Sequence, residues 1–433
     1  MNLDFRDRQM DVGTESFDVI RALSVAPTKG AALDECLAAT GRIRKGDRES
    51  WIKEWLALAD DVLQKAEKAH QAGSLVTARE AYLRASNYTR TGMYFTDHLD
   101  PRRTAAIRKS REAFEKGAGL LDARVEPIRI PFEGAEMPGY FLPARRAGKR
   151  PTLMAVNGGD STNEELVHWI GFAAAERGWN FLTFEGPGQW SALQMNPSFH
   201  LRADYEAPAK AVVDWLVRRE EVDEKKIALI GYSMGAGLGV RITAYEKRIC
   251  ACIANGMAVD VNEAWDATMP AIFKNDAVFA FLESRNIQLF GLMNHFRWMM
   301  GVSEPHEVME FWKPFSVKDL APKMDRPVLL LYGEAEYAQT NERTGLTALQ
   351  FMKDLPRPAS FHEFLFDEGW AASHCQVGGA GTSQPVIFDW LEKVVNDAGG
   401  LPQPTPAKSL KLSRYFGGKA VNALLDGIQV HAV

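Results

Sequence analysis

"IALIGYSMGAG", Ile227–Gly237, joins an unbroken apolar run to a cluster of small residues, with Ser233 held between Gly231 and Gly235. "KIALI" has the continuity of a strand buried on both faces, and "MGAGLGVRITAYE" has the residue types of a helix. Ser233 therefore stands at a strand-to-helix turn. A turn this sharp brings its flanking positions against neighbouring backbone, which calls for glycine on each side of the serine. The hydroxyl is then exposed beyond the carboxyl end of the strand. The next amide, that of Met234, opens a helix, where developing negative charge is stabilised. A Gly-x-Ser-x-Gly string can also be a plain tight turn, but a strand before it and a helix after it favour a nucleophile.

A serine hydroxyl is a weak nucleophile without a base. When the serine comes first in the chain, the acid and the histidine are expected in that order, on loops after later strands. "PVLLLYGEAEYAQ" is the strand that should carry the acid, and its spacing points to Glu336, with Glu334 as the near rival. The last core strand, "FHEFLFDEG", is followed by "WAASHCQVGG", which places His374 where the base belongs. The other histidines compete poorly. His362 lies inside a strand, His168 on an early helix, and His70 and His98 in the N-terminal region, while His295 could line the pocket. A second oxyanion donor is expected from "VNGGDSTNEE", as the amide of Gly159 or Asp160.

Outward from this centre, short apolar strands alternate with helical segments: "PTLMAVNGG", "NFLTFEGPG", "KIALIGYS", "RICACIANGM", "PVLLLYGEAE" and "FHEFLFDEG". That alternation predicts an α/β fold, a mostly parallel sheet with helices on both faces. "VEPIRIPF" and "MPGYFLPA" precede it as an antiparallel pair. Residues 1–122 read as a helical or cap domain. "DRESWIKEWLALADDVLQKAEKAHQAG" keeps helical spacing with a possible cap at Ser50, and "SLVTAREAYLRASNYTRTGMYF" opens at Ser74. The sheet domain spans 123–397, with a helical lid insertion at about 258–322 that is rich in Trp, Met and Phe. Within it, Trp265, Asp266, Thr268, Met293, Phe296 and Trp298 are candidate pocket residues. Residues 398–433 read as a linker and tail.

The chain has 433 residues, 46% hydrophobic and 25% charged, enough for a large core and an accessory domain. A net charge of −5 gives no electrostatic reason to expect nucleic acid or an anionic membrane as partner. No apolar run approaches the ~20 residues of a membrane span, and the charged N-terminus does not suit a signal peptide, so a cytoplasmic location is expected. Cys36, Cys250, Cys252 and Cys375 have neither metal-ligand nor redox spacing. No metal or cofactor is expected.

"NGGDSTNEEL", "FEGPGQW", "GYSMGAG" and "SHCQVGG", behind "AREAYLRASNYTRTGMYF", together resemble the α/β-hydrolases grouped with dihydroxy-pseudo-oxynicotine hydrolase and the fungal pigment hydrolases that shorten a heptaketide. The resemblance covers roughly Asp47 to Val395. It implies a Ser–acid–His triad in a pocket roofed by the N-terminal helices, with Ser233 as nucleophile, Glu336 as orienting acid and His374 as base. It also implies a ketone or acyl substrate, with carbon–carbon cleavage in several members and ester hydrolysis in others, and a homodimer by analogy. Two features depart from the family pattern. The acid is Glu rather than Asp, and "WDATMP" puts Thr268 where the nicotine-pathway enzyme has a further Glu, with Glu263 and Asp266 close by but not equivalent. The expected activity is hydrolysis of a C–C or ester bond in a small aromatic or polyketide-like molecule. An acyltransferase or cyclase using the same acyl-enzyme, or a receptor that has lost turnover, are the alternatives.

Overall fold

Among the described residues, the first α-helices are α1 (Ser16–Leu23), α2 (Leu33–Thr40), α3 (Arg48–Gln71), α4 (Leu75–Met93) and α5 (Pro101–Ala118). The computed structural model describes residues 16–263, 275–337, 342–397, 399–407, 425 and 427–433. Helix α3 is capped one turn earlier than Ser50. Asp47 is the N-cap and its carboxylate accepts the Ser50 amide at 2.9 Å, because the charged acceptor sits where the backbone is still extended. Asp100 caps α5 in the same way, ahead of Pro101 in the first turn.

The strands are β1 (Glu126–Phe132), β2 (Ala135–Leu142), β3 (Arg150–Val156), β4 (Asn180–Phe184), β5 (Val222–Tyr232), β6 (Ile249–Asn255), β7 (Val328–Gly333), β8 (Ala359–Phe364), β9 (Thr405–Pro406) and β10 (Gln429–Ala432). Among the described residues they form one sheet in the order β1-β2-β4-β3-β5-β6-β7-β8-β10-β9. The β1–β2 and β2–β4 pairs are antiparallel, and from β4 through β3 and β5 to β8 every pair is parallel. Ile227, Ala228, Leu229 and Ile230 are all fully buried, as a central strand covered on both faces demands.

Each face of the sheet has its own apolar cluster. On one, Leu229, Cys252 and Leu330 meet Met293, Met299 and Trp312 from helices inserted between β6 and β7. These helices are Asp276–Arg285, Ile287–Met300 and Pro305–Trp312. On the other, Ile230, Ile253 and Leu331 continue without interruption into Trp51, Trp55, Tyr82 and Tyr88 of α3 and α4. The N-terminal helices thus share a core with the sheet. No helix of the described residues is long and apolar enough to cross a membrane.

The tail holds more than a linker. Val430–Ala432 pairs in parallel with Ala359–Phe361 of β8, so part of the C-terminal segment extends the sheet beyond the last core strand.

A buried ionic cluster ties α1 and α4 to the loop after β3. Arg21 reaches Asp160 and Glu165, each at 2.7 Å, and Arg90 lies 3.0 Å from Glu165. Both guanidiniums are almost completely buried, so each depends on its carboxylates. Replacing Arg21 by Met should lower folding stability by about 3–5 kcal/mol, because two carboxylates lose a buried partner. A chemical-denaturation midpoint within error of the parent would contradict this.

Candidate active site

Ser233 adopts φ 55° and ψ −120°, a strained conformation for a non-glycine residue, at the junction of β5 with the helix Met234–Tyr245. Its amide is held by the Asn255 carbonyl at 2.8 Å. The flanking glycines are sterically required. A Cβ on Gly231 would lie 2.0 Å from the Gly235 carbonyl oxygen, and one on Gly235 would lie 2.4 Å from the carbonyl oxygens of Val156 and Asn157.

His374 Nε2 lies 2.9 Å from Ser233 Oγ, and its Nδ1 is hydrogen-bonded to Glu336 Oε1. The Gly333 amide donates to the other oxygen, Oε2, at 2.6 Å and fixes the carboxylate from behind. Glu334 turns elsewhere and accepts the Phe366 amide at 2.6 Å. Geometry therefore separates the two carboxylates that spacing left open. His374 follows β8 through a 3-10 segment. It precedes Cys375 and Gln376, whose φ values of 55° and 53° fold the loop sharply under the imidazole, and Gln376 is anchored by Asn255 Nδ2 at 2.8 Å.

Desolvation lowers the proton affinity of His374, but its contacts with Cys375 and Glu336 outweigh that and hold the imidazole well above its ordinary 6.5. A base must be unprotonated to act. If His374 serves as base, kcat/KM should rise with pH along an acid limb lying above 6.5. A flat profile across that range would speak against the role. Cys375 Sγ is 3.6 Å from His374 Nε2. Glu336, His374 and Cys375 offer one donor atom each within 4.8 Å, a spacing that can hold a metal, although Nδ1 is occupied by Glu336 here.

The loop after β3 supplies the other wall. Gly158 closes on the serine: a Cβ there would lie 3.3 Å from Ser233 Cβ. Its amide is taken by Ser161 Oγ at 2.9 Å, and among the described residues no acceptor takes the amides of Gly159 or Asp160. Arg90 holds the Asp160 carbonyl at 3.0 Å. Burial would raise the Asp160 carboxyl, but Arg21 and Arg90 outweigh it and keep the group well below the usual carboxylate range. This loop can therefore present N–H groups to an oxyanion while its own charge is neutralised.

The candidate pocket residues divide. Trp265, Asp266 and Thr268 lie outside the described residues. Met293 is fully buried in the core. Phe296 covers Gly159, where a Cβ would come within 3.1 Å of its ring. Trp298 lies over the guanidinium of Arg103, 5.0 Å from ring centre to Cζ. Sequence reasoning did not find Arg21, Arg90 or Arg103, since nothing local distinguishes them from surface arginines.

Fold and site together define an α/β-hydrolase-type enzyme. Residues 16–274 match the family described as "Esterase FrsA-like", and the chain belongs to it. It is 31% identical over 403 residues to "Hydrolase LUC6" of Fusarium sp, covering 87% of this chain and 96% of that one. It is 34% identical over 326 residues to "20-hydroxy-prefusarin hydrolase FUS2" of Gibberella moniliformis, covering 70% of this chain and 77% of the relative. Among solved structures, 2,6-dihydroxy-pseudo-oxynicotine hydrolase superposes with a TM-score of 0.69 at 22% identity, over 87% of this chain and 97% of that chain.

Proposed function

We propose that this protein is a serine hydrolase that cleaves a C–C or ester bond next to a carbonyl in a small aromatic or polyketide-like substrate. The observation that carries the reading is the hydrogen-bonded series Ser233–His374–Glu336 at the carboxyl edge of the sheet. The similarity to a relative named for a hydrolase of 20-hydroxy-prefusarin supports the substrate class.

In this reading His374 Nε2 takes the proton from Ser233 Oγ as the oxygen attacks the carbonyl carbon. Glu336 keeps the imidazole in the tautomer with Nδ1–H and stabilises the imidazolium. The Met234 amide and an amide of the Gly159–Asp160 segment receive the oxyanion. On collapse, the Nε2 proton goes to the leaving group, an alkoxide or an enolate-stabilised carbanion. Water deprotonated by His374 then attacks the acyl carbon and releases the acid and Ser233.

The test is turnover of aryl esters and β-diketones in water enriched in heavy oxygen, alongside labelling of Ser233 by a fluorophosphonate. The expected result is one heavy oxygen in the released acid and stoichiometric labelling. A ring-closed or transferred product without heavy oxygen would make the enzyme a cyclase or acyltransferase. Folded protein that neither labels nor turns over would be a receptor.

A further inference from the structure

We infer that His295, set by Arg103, is a positioning residue that clamps the oxyanion loop for the reaction at Ser233. The inference rests on the serine-hydrolase reading above and adds to it a residue outside the triad.

The loop needs a clamp. Gly158 and Gly159 have the widest backbone freedom of any residue type, and the two candidate donors, the amides of Gly159 and Asp160, flank the Cα of Gly159. Ser161 fixes the near side by accepting the Gly158 amide. On the far side, His295 Nε2 lies 2.5 Å from the Gly159 carbonyl oxygen. That carbonyl shares a rigid plane with the Asp160 N–H and points the opposite way. Fixing one end fixes the other, and with it the rotation about Gly159. A bond to an amide oxygen also polarises the amide, so its N–H becomes a better donor.

The clamp works only if His295 carries its proton on Nε2, and Arg103 settles this. Its Nη2 lies 2.6 Å from His295 Nδ1. A guanidinium can only donate, so Nδ1 must be the bare acceptor and Nε2 must carry the hydrogen. Both residues are buried, at 1% exposure for Arg103 and 0% for His295. Burial, then Arg103, drives the imidazole well below 6.5, which keeps it neutral.

Arg103 is costly where it stands. Among the described residues no carboxylate pairs with it. It is held by the carbonyls of Tyr94 and Thr96 at 3.2 and 2.8 Å, and by the faces of Trp190 and Trp298. A buried cation without a counter-ion is unfavourable, and hydrogen bonds to neutral groups offset only part of its lost hydration. The attachment of the inserted helix to the N-terminal region has a separate explanation next door. Asn294 accepts the His98 amide at 2.9 Å and donates to the Thr96 carbonyl at 3.0 Å. What remains for the Arg103–His295 pair is the Gly159 carbonyl.

The experiment uses the full chain, p-nitrophenyl butyrate as substrate and phenylboronic acid as a probe whose serine adduct puts an oxygen in the same hole. His295→Asn cannot reach Gly159, whereas His295→Gln carries an N–H to about the position of Nε2. For His295→Asn, kcat should fall about 10- to 100-fold and phenylboronic acid affinity should fall in step, with KM within about 3-fold. His295→Gln should recover most of both. Asn and Gln variants that behave alike, or a loss of kcat with boronate affinity intact, would overturn the inference. Should His295→Asn fail to fold, Arg103→Met leaves the imidazole in place but removes the donor that holds Nδ1 and so loosens the ring. It should lower kcat and boronate affinity together, and no change in either would also overturn the inference. Ester hydrolysis abolished by Ser233→Ala but indifferent to His295 variants sinks this inference alone. Hydrolysis that survives Ser233→Ala sinks the reading beneath it.

Discussion

Ser233→Ala is expected to lower kcat by roughly 10⁵- to 10⁶-fold while KM changes little, the largest effect of any single substitution in this chain. The substitution removes one oxygen and asks almost nothing of the fold, since the strained backbone at 233 is imposed by Asn255 and the flanking glycines rather than by the hydroxyl. In the proposed mechanism no acyl-enzyme can form without Oγ. His374 and the loop amides could still assist direct attack by water, which sets the small residual rate. Fluorophosphonate labelling should vanish with it. Retention of more than a few per cent of the parent kcat, in protein of unchanged circular dichroism, would mean that the nucleophile lies elsewhere.

The second large effect is expected at Glu336. Glu336→Gln preserves size and can keep the hydrogen bond from the Gly333 amide through its carbonyl oxygen. Its NH₂ then faces His374 Nδ1 and can only donate. The imidazole is forced to carry its proton on Nε2, against Ser233 Oγ, and cannot accept the serine proton. A fall in kcat of roughly 10³- to 10⁴-fold follows. Loss of the carboxylate also removes one of the interactions holding the imidazole above 6.5, so the acid limb of kcat/KM should move to lower pH in the variant. Glu334→Gln, by contrast, should leave kcat within a few-fold, because Glu334 turns away from His374 to accept the Phe366 amide. Equal losses in the two variants would refute this assignment.

How much of this was legible beforehand depends on the range of the interaction. Ser233 could be found because its strand, its glycines and its helix lie within a dozen residues, and local sterics dictate the turn. His374 could be found because chain order on this topology leaves few loops for it. Spacing pointed to Glu336 but left Glu334 a near rival, since two positions along one short helix, Glu334–Tyr337, differ in the direction the carboxylate faces. Arg21, Arg90 and Arg103 were invisible. Their partners stand 139, 70 and 192 residues away, and no periodicity records such a pairing. The strand β10 escaped notice because it is only four residues long, Gln429–Ala432, too few for a clear alternation of apolar and polar residues.

The ionic cluster beside the oxyanion loop bears on how new specificities are made in this architecture. Arg21 and Arg90 belong to α1 and α4, whereas Asp160 and Glu165 follow β3. A chimera that grafts another relative's N-terminal helices onto this sheet would bring in foreign side chains opposite two carboxylates of the loop that approaches Ser233. Unless the graft also carried matching cations, the hybrid would repel the very charge its reaction must create. The N-terminal helices and the loop after β3 are therefore heritable only as a pair, and laboratory recombination should place its crossovers to move both or neither.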